Sequence, residues 1–409
     1  MVFLSSISLY GQSYRTFQWE LEQIINQTRL RIGPFRIYPT IQLRDIGYDD
    51  NVYYQREDDG PVSDFTGTIS PSFRVSLVFR NSLILSLTEN PEFVFYYKQK
   101  RERRWNNTLS PGFRLLLLKR FVISGRYLNR NRRWRATREF DIRANELREG
   151  FEGSLFYETA RGTSFGVTAS SNKISYEDIT FPGQEIYLSR RLNREERNGN
   201  FEFYYRFSSV SFFFIRGGFT EYIFEHPTSR WRDSYSYQTY AGIRFPLMGK
   251  VRGTLSLGYK KLAPRSKEKK AFTGLIGNTS LDFRIGRFNF RISYNRNIYF
   301  SYWTESIYFI NDRYGAGISF YLTRFLRLDY YYLYGKSHYP ELTTLRFPDG
   351  SFEELRRKDN DRTHRIGLVF RVIRNTGIGI MANFWERSSN YYFENRNRTF
   401  IGGYVTYAF

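Results

Sequence analysis

Beyond about residue 36, apolar and polar side chains alternate with a period of two through most of the chain. Ile69, Pro71, Phe73, Val75, Leu77 and Phe79 are apolar, while Thr68, Ser70, Ser72, Arg74 and Ser76 between them are polar. Val251, Gly253, Leu255, Leu257 and Tyr259 alternate in the same way with Arg252, Thr254, Ser256, Gly258 and Lys260. Segments of about ten residues with one apolar and one polar face predict strands that separate lipid from water. A soluble sandwich would alternate too, so other features must decide.

Three of them do. The connections alternate in length: those at 80–82, 119–120, 208–209, 286–287 and 323–324 are tight, whereas 178–193 and 336–361 are long and charged. Short turns on one rim and long loops on the other suit an outer-membrane barrel. Aromatic residues cluster where strands end, as at Phe93, Phe95, Tyr96 and Tyr97, which suits interfacial girdles. The last segment, 400–409, alternates and ends on Phe409, which resembles the C-terminal signal that such barrels present to their assembly machinery. The expected fold is all-β: one transmembrane antiparallel up-and-down barrel over 36–409, of about eighteen strands, with sixteen still compatible. Four of its strands are expected at 121–130, 147–157, 164–171 and 200–207. A local repeat, Thr68-Ile69-Ser70-Pro71 and Thr108-Leu109-Ser110-Pro111, suggests duplicated hairpins.

Ahead of the barrel, residues 1–12 read as a truncated secretory signal without its basic region, or as a disordered leader. In the segment 13–35, Phe17, Leu21, Ile24 and Ile25 fall at helical spacing, which predicts a short periplasmic or plug-like helix.

Composition narrows the function. The 409 residues include 62 Lys+Arg and 40 Asp+Glu, a net charge of +22, with no Cys, 3 His and 19% aromatic residues. Without cysteine, disulfide scaffolds, thiolate metal sites and thiol catalysis fall away. The mean hydropathy of −0.54 is too low for a bundle of membrane helices.

A family resemblance rests on Gly33-Pro34-Phe35-Arg36-Ile37-Tyr38-Pro39-Thr40-Ile41-Gln42-Leu43 and on the turn Tyr48-Asp49-Asp50-Asn51. These residues resemble the first strand and loop of the putative β-barrel porin 2 family, outer-membrane barrels often associated with exopolysaccharide operons. The resemblance implies an outer-membrane conduit, with a secreted polysaccharide as one candidate cargo, and is compatible with plain porin activity.

Projected onto a barrel, the polar face carries Arg74, Arg114, Arg126, Arg206, Arg244, Arg252, Arg284, Arg291, Arg327 and Arg371. Such residues either favour anions in the pore or pair with Glu152, Glu202, Asp282 and Asp329 as a bracing ladder. The excess of bases tilts the reading toward selectivity. Tyr38, Tyr204, Tyr240, Tyr321 and Tyr331 share that face, either as stacking surfaces for sugar rings or as packing. Asp49, Asp50 and Asn51 admit a calcium reading but are ordinary turn formers.

His226, His338 and His364 form no constellation with a serine and an acid, so no catalytic residue and no cofactor are expected. Basic residues spread over all strands argue against nucleic acid. The expected partners are outer-membrane lipids and lipopolysaccharide (contacted by basic loops such as 98–105), the barrel-assembly machinery, an anionic polysaccharide and periplasmic export components. The reading is a bacterial outer-membrane channel, for exopolysaccharide or capsule export or as a general or anion-preferring diffusion porin. An export pore should have a wide opening and a periplasmic docking rim, whereas a porin folds a loop inward, for which 345–362 is the candidate.

Overall fold

The computed structural model describes residues 16–408, apart from 138, 140–142, 182–183, 209–210, 246–249, 304, 347–350, 374 and 392–393. The signal-like segment 1–12 and the terminal Phe409 lie outside the described residues.

Eighteen antiparallel strands close into one barrel. In chain order they are β1 (Phe35–Asp49), β2 (Asp64–Phe79), β3 (Leu83–Glu89 and Glu92–Tyr96), β4 (Arg104–Leu117), β5 (Phe121–Arg135) and β6 (Arg143–Glu158). Next come β7 (Ser164–Tyr176), β8 (Arg194–Arg206), β9 (Phe212–Phe224), β10 (Ser234–Phe245), β11 (Val251–Pro264) and β12 (Phe272–Ile285). The last six are β13 (Phe288–Phe300), β14 (Tyr308–Tyr321), β15 (Leu326–His338), β16 (Lys358–Ile373), β17 (Thr376–Ser389) and β18 (Arg396–Ala408). Each strand pairs with the next, and β18 returns to β1 with Thr40 opposite Ala408 and Asp49 opposite Phe400. Closure leaves no unpaired edge in the bilayer, which a spanning sheet requires. No helix among the described residues is long and apolar enough to cross a membrane.

Period two sets the faces. Phe151, Phe201, Leu257, Ile292 and Ile380 look outward, while Glu152, Glu202, Ser256 and Ser293 look into the lumen. β3 breaks at Asn90-Pro91 because proline has no N–H for the ladder. Its alignment survives through the Asn90 amide, which donates to the Thr108 carbonyl at 2.9 Å. The repeated segments sit in β2 and β4, the two neighbours of β3.

The tight turns gather on one rim. Arg80 (φ 45°) with Asn81 (φ 52°), and Leu118 (φ 50°) with Lys119 (φ 61°), place two consecutive residues in the left-handed region. That is the type I′ geometry that matches strand twist. On the opposite rim the strands run further than alternation predicts: 121–130 extends to Arg135, 147–157 begins at Arg143, 164–171 extends to Tyr176 and 200–207 begins at Arg194. The added residues are mostly polar, and the ladder continues above the apolar band because ion pairs stitch it, as in Arg130–Glu146 (2.9 Å) and Arg148–Glu196 (3.7 Å).

Helix α1 (Phe17–Gln27) lies inside the barrel at the short-turn end. Thr16 caps it by accepting from the Trp19 amide at 3.4 Å. From there the chain turns at Gly33 (φ 56°), pairs residues 30–32 with 35–37, and enters β1.

Candidate functional site in the lumen

The lumen divides into three regions. The first is an apolar pad on the inner wall at the short-turn rim. Ile84, Val122, Phe156, Tyr204 and Phe214 face inward there and receive Phe17 and Leu21 of α1, with Val78, Leu116 and Phe212 at the margin. Phe17 and Leu21 are buried, and burial of side chains this size is worth roughly 1.5–3 kcal/mol each. Two polar contacts fix the seat: the Phe17 amide donates to Glu158 at 2.9 Å, and Glu20 pairs with Arg114. Glu158 at the helix start also suits the positive end of the helix dipole.

The second region is the wall on the other side at the same rim. Arg252 and Arg291 share Asp282, at 4.0 and 2.9 Å. Arg327 pairs with Asp329 at 2.8 Å, and the guanidinium groups of Arg284 and Arg327 lie 5.2 and 5.8 Å from the Tyr321 ring centre. Arg284 also donates to the Gly286 carbonyl at 3.3 Å. Arg371 stands opposite Gly377, and Arg74 opposite Tyr38 and Thr88, both exposed. Glycines make room for the ring of Tyr331: a Cβ at Gly315 or Gly317 would collide with it, and one at Gly379 would collide with Tyr404. Those strand glycines relieve crowding.

The remaining predicted residues are placed elsewhere. Arg126 faces Glu152 at 3.3 Å midway along β5 and β6. Glu202 is held by Arg216 at 2.8 Å, by the Tyr204 hydroxyl and by Thr168 at 3.3 Å. Arg206 donates to the Ser208 carbonyl at 3.1 Å within the turn, and Arg244 is opposite Phe212 and Thr254 beside 246–249. Tyr204 and Tyr240 pack at the helix pad, so they serve packing rather than an open stacking surface. Tyr38, Tyr321 and Tyr331 lie on the arginine side.

The third region is a cap across the long-loop mouth. Glu139, after β5, meets residues after β13 from nearly the opposite side of the barrel: Ser301 Oγ donates to it at 2.5 Å and the Tyr302 amide at 2.6 Å. Arg232, after β9, is fully buried and donates to the carbonyls of Ser301, Tyr302 (3.3 Å) and Trp303 (2.8 Å). Burial pulls the Arg232 guanidinium down to about 10. Arg387 donates to the Glu139 carbonyl at 3.3 Å and approaches Glu394 at 3.9 Å. Arg357 binds Asp359 at 2.8 Å and Glu394 at 3.4 Å, between the rings of Tyr339 and Tyr391. Helix α2 (Leu188–Leu192) packs Leu188 and Leu192 with Ile174, Ile186 and Tyr302 into an apolar core for the cap. The loop 345–362 contributes Arg357 to the cap, its part 347–350 lying outside the described residues.

Burial drives the Glu139 carboxyl up to about 7, against the opposing pull of Arg357 and of the bonds from Ser301 and Tyr302. Sequence reasoning missed this cluster, because Glu139 reads as one more member of a charged loop. It also missed the pad, whose trace is a lapse of alternation at turn ends: Leu115-Leu116-Leu117 and Phe212-Phe213-Phe214 are apolar on both faces.

Tyr48, Asp49, Asp50 and Asn51 form the seam between first and last strands. Arg398 grips Asp49 at 2.8 and 2.6 Å, the Thr399 amide donates to Asp50 at 2.7 Å, and Asn51 donates to the Asn397 carbonyl at 2.8 Å. Tyr48 faces outward against Phe65. Both carboxylate oxygens of Asp49 and one of Asp50 are thus engaged by protein donors. The three histidines stay apart: His226 caps a short helix through Thr228, His338 ends β15, and His364 sits between Tyr330 and Tyr332.

A closed barrel with outward apolar and inward polar residues, with short turns on one rim, defines a porin-like channel of the bacterial outer membrane. The chain belongs to the putative beta-barrel porin 2 family, whose sequence model matches residues 26–409. No curated protein matches the chain in sequence. Among solved structures it is similar to the outer membrane protein OpdK from Pseudomonas aeruginosa (11% identity, 91% of this chain and 98% of that one, TM-score 0.50). OpdQ from Pseudomonas aeruginosa is similar to the same degree, at 10% identity, 91% and 98% coverage and a TM-score of 0.50. The copper transporter OprC matches at 10% identity and a TM-score of 0.49, and the chain spans 63% of its length. At these identities the likeness concerns the fold.

Proposed function

We propose that this barrel is a gated, anion-preferring channel for acidic, hydroxyl-rich solutes. The observation that carries the reading is the wall left uncovered by α1, where, among the described residues, Arg252, Arg284, Arg291, Arg327 and Arg371 meet the carboxylates of Asp282 and Asp329 alone. A ring of guanidinium groups in excess of carboxylates attracts anions, and a low-dielectric wall focuses that field. The inward loops favour a diffusion channel over a permanently wide exit pore.

A second reading, an exopolysaccharide conduit, is favoured by Tyr38, Tyr321 and Tyr331 beside those arginines, since aromatic rings stack on pyranose faces and guanidinium groups bind carboxylates. It requires that both the cap and the helix move aside.

The test is the reversal potential of the reconstituted protein in a salt gradient, for the native chain and for R284Q/R291Q. The native chain is expected to prefer anions and the variant to lose at least half of that preference. An unchanged reversal potential would leave these arginines with a bracing role alone.

A further inference from the structure

The outer surface at the long-loop rim is polarised around the barrel. On the β7–β11 side several charges pair with one another: Lys173 with Glu225 at 2.8 Å, Arg197 with Glu195 at 2.8 Å, and Arg265 with Glu221. The hairpin joining β3 and β4 differs. It carries Lys98, Lys100, Arg101, Arg103 and Arg104 around one acid, Glu102, which is buried and taken by Arg133 in a bidentate pair at 2.8 and 2.9 Å. Among the described residues no carboxylate pairs with those five cations.

Beneath the cations the same outward face is aromatic. Trp105 is 67% exposed and Tyr97 64%. Phe93 packs on Trp105 with ring centres 5.0 Å apart, and the Arg103 guanidinium lies 4.4 Å from the Phe95 ring centre. Arg103 is held there by its own bonds, Nε to the Tyr96 carbonyl at 2.8 Å and Nη2 to the Tyr97 carbonyl at 3.2 Å. A guanidinium already fixed in place loses little freedom when it binds an anion, and its planar donors suit phosphate.

We propose that this hairpin is a docking site for a phosphorylated glycolipid of the outer leaflet, with Arg101 and Arg103 on the phosphates and Trp105 and Tyr97 against the acyl chains and sugar; Arg104, paired with Val94, lies on the other face of its strand. The chemistry recognised is a phosphate anchored at an apolar–polar boundary. Amphipathic rings favour that depth, and cations just above it meet anionic headgroups. At the same height in the β7–β11 sector, Lys173, Arg197 and Arg265 are taken by their own carboxylates. The inference does not depend on what passes through the lumen.

The experiment titrates the refolded full chain in detergent with bisphosphorylated lipid A and counts bound lipid by native mass spectrometry. Native protein is expected to bind with an affinity that falls steeply with salt, and R101Q/R103Q at least tenfold more weakly. R197Q/R265Q should bind like the native chain, and the same lipid without its phosphates should bind native protein weakly. W105A, which keeps every cation, should bind severalfold more weakly, so that the site is tested even where the double variant folds poorly. Native-like binding by both R101Q/R103Q and W105A, equal binding of dephosphorylated lipid, or full displacement by millimolar inorganic phosphate alone would overturn the proposal.

Discussion

Asp49 and Arg398, 349 residues apart in the chain, form a bidentate pair of 2.8 and 2.6 Å that joins the end of the first barrel strand to the start of the last. Asp49 is buried, and Arg143 reaches it from β6 at 3.9 Å, so the seam is tied into the mouth as well. Its partners lie at opposite ends of the sequence, so bringing them together carries a large loop-closure entropy.

Removal of one partner of this buried pair leaves the other charge uncompensated, at a cost of about 3–5 kcal/mol. R398Q and D49N should therefore each lower the urea midpoint of the lipid-reconstituted barrel and slow its conversion to the compact electrophoretic form. The doubly neutral D49N/R398Q should recover part of the loss, which a double-mutant cycle reads directly. Additive losses would show that the pair does not act as a unit.

Glu139 gives the cap a pH dependence with a defined sign. Its carboxyl is raised in the folded protein to about 7 from an ordinary 4.5, so the folded state holds the proton more tightly than the unfolded state. Its contribution is complete below about pH 4.5 and is lost as pH rises through 7. The groups facing it are Ser301 and Tyr302, Arg387, and the more distant charges of Arg357, Arg232 and Asp359. Hydrogen exchange at the Tyr302 amide is expected to be several times faster, relative to intrinsic rates, at pH 8 than at pH 5. E139Q should flatten that difference, and a native-like dependence in E139Q would place the titration elsewhere.

Leu118 and Lys119 occupy left-handed backbone that suits Asn-Gly, and each non-glycine residue there costs roughly 1–2 kcal/mol. L118N/K119G is expected to raise the urea midpoint without a change in conductance. Leu118 is exposed, so the exchange removes no core contact. An unchanged or lowered midpoint would mean that the turn carries no such strain.

The barrel was legible in the sequence because period two is imposed on every strand by the same two environments, as Ile69 and Ser70 or Leu257 and Ser256 show. Phe17 and Leu21 announced a helix, and Leu116 and Phe214 were its hidden counterpart, apolar residues on a face that should have been polar. The inward arginines followed from parity alone. Their division into a covered and an uncovered wall did not, because it depends on where α1 comes to rest. Nothing local distinguished Glu139 from its charged neighbours, since its burial arises from loops that meet across the mouth. The Tyr48–Asn51 turn was visible as a turn, whereas its role at the seam required Asn397, Arg398 and Thr399.

In the proposed function, α1 narrows a channel whose free side is lined by arginine. Single-channel recording at pH 8, where the cap is weakest, compares the native chain with F17D/L21D, which forces two charges into the apolar pad. A small native conductance, a severalfold larger one in the variant, and a reversal potential that stays on the anion side in both are expected. Equal conductances, or a preference for cations once the helix is unseated, would contradict the proposed function.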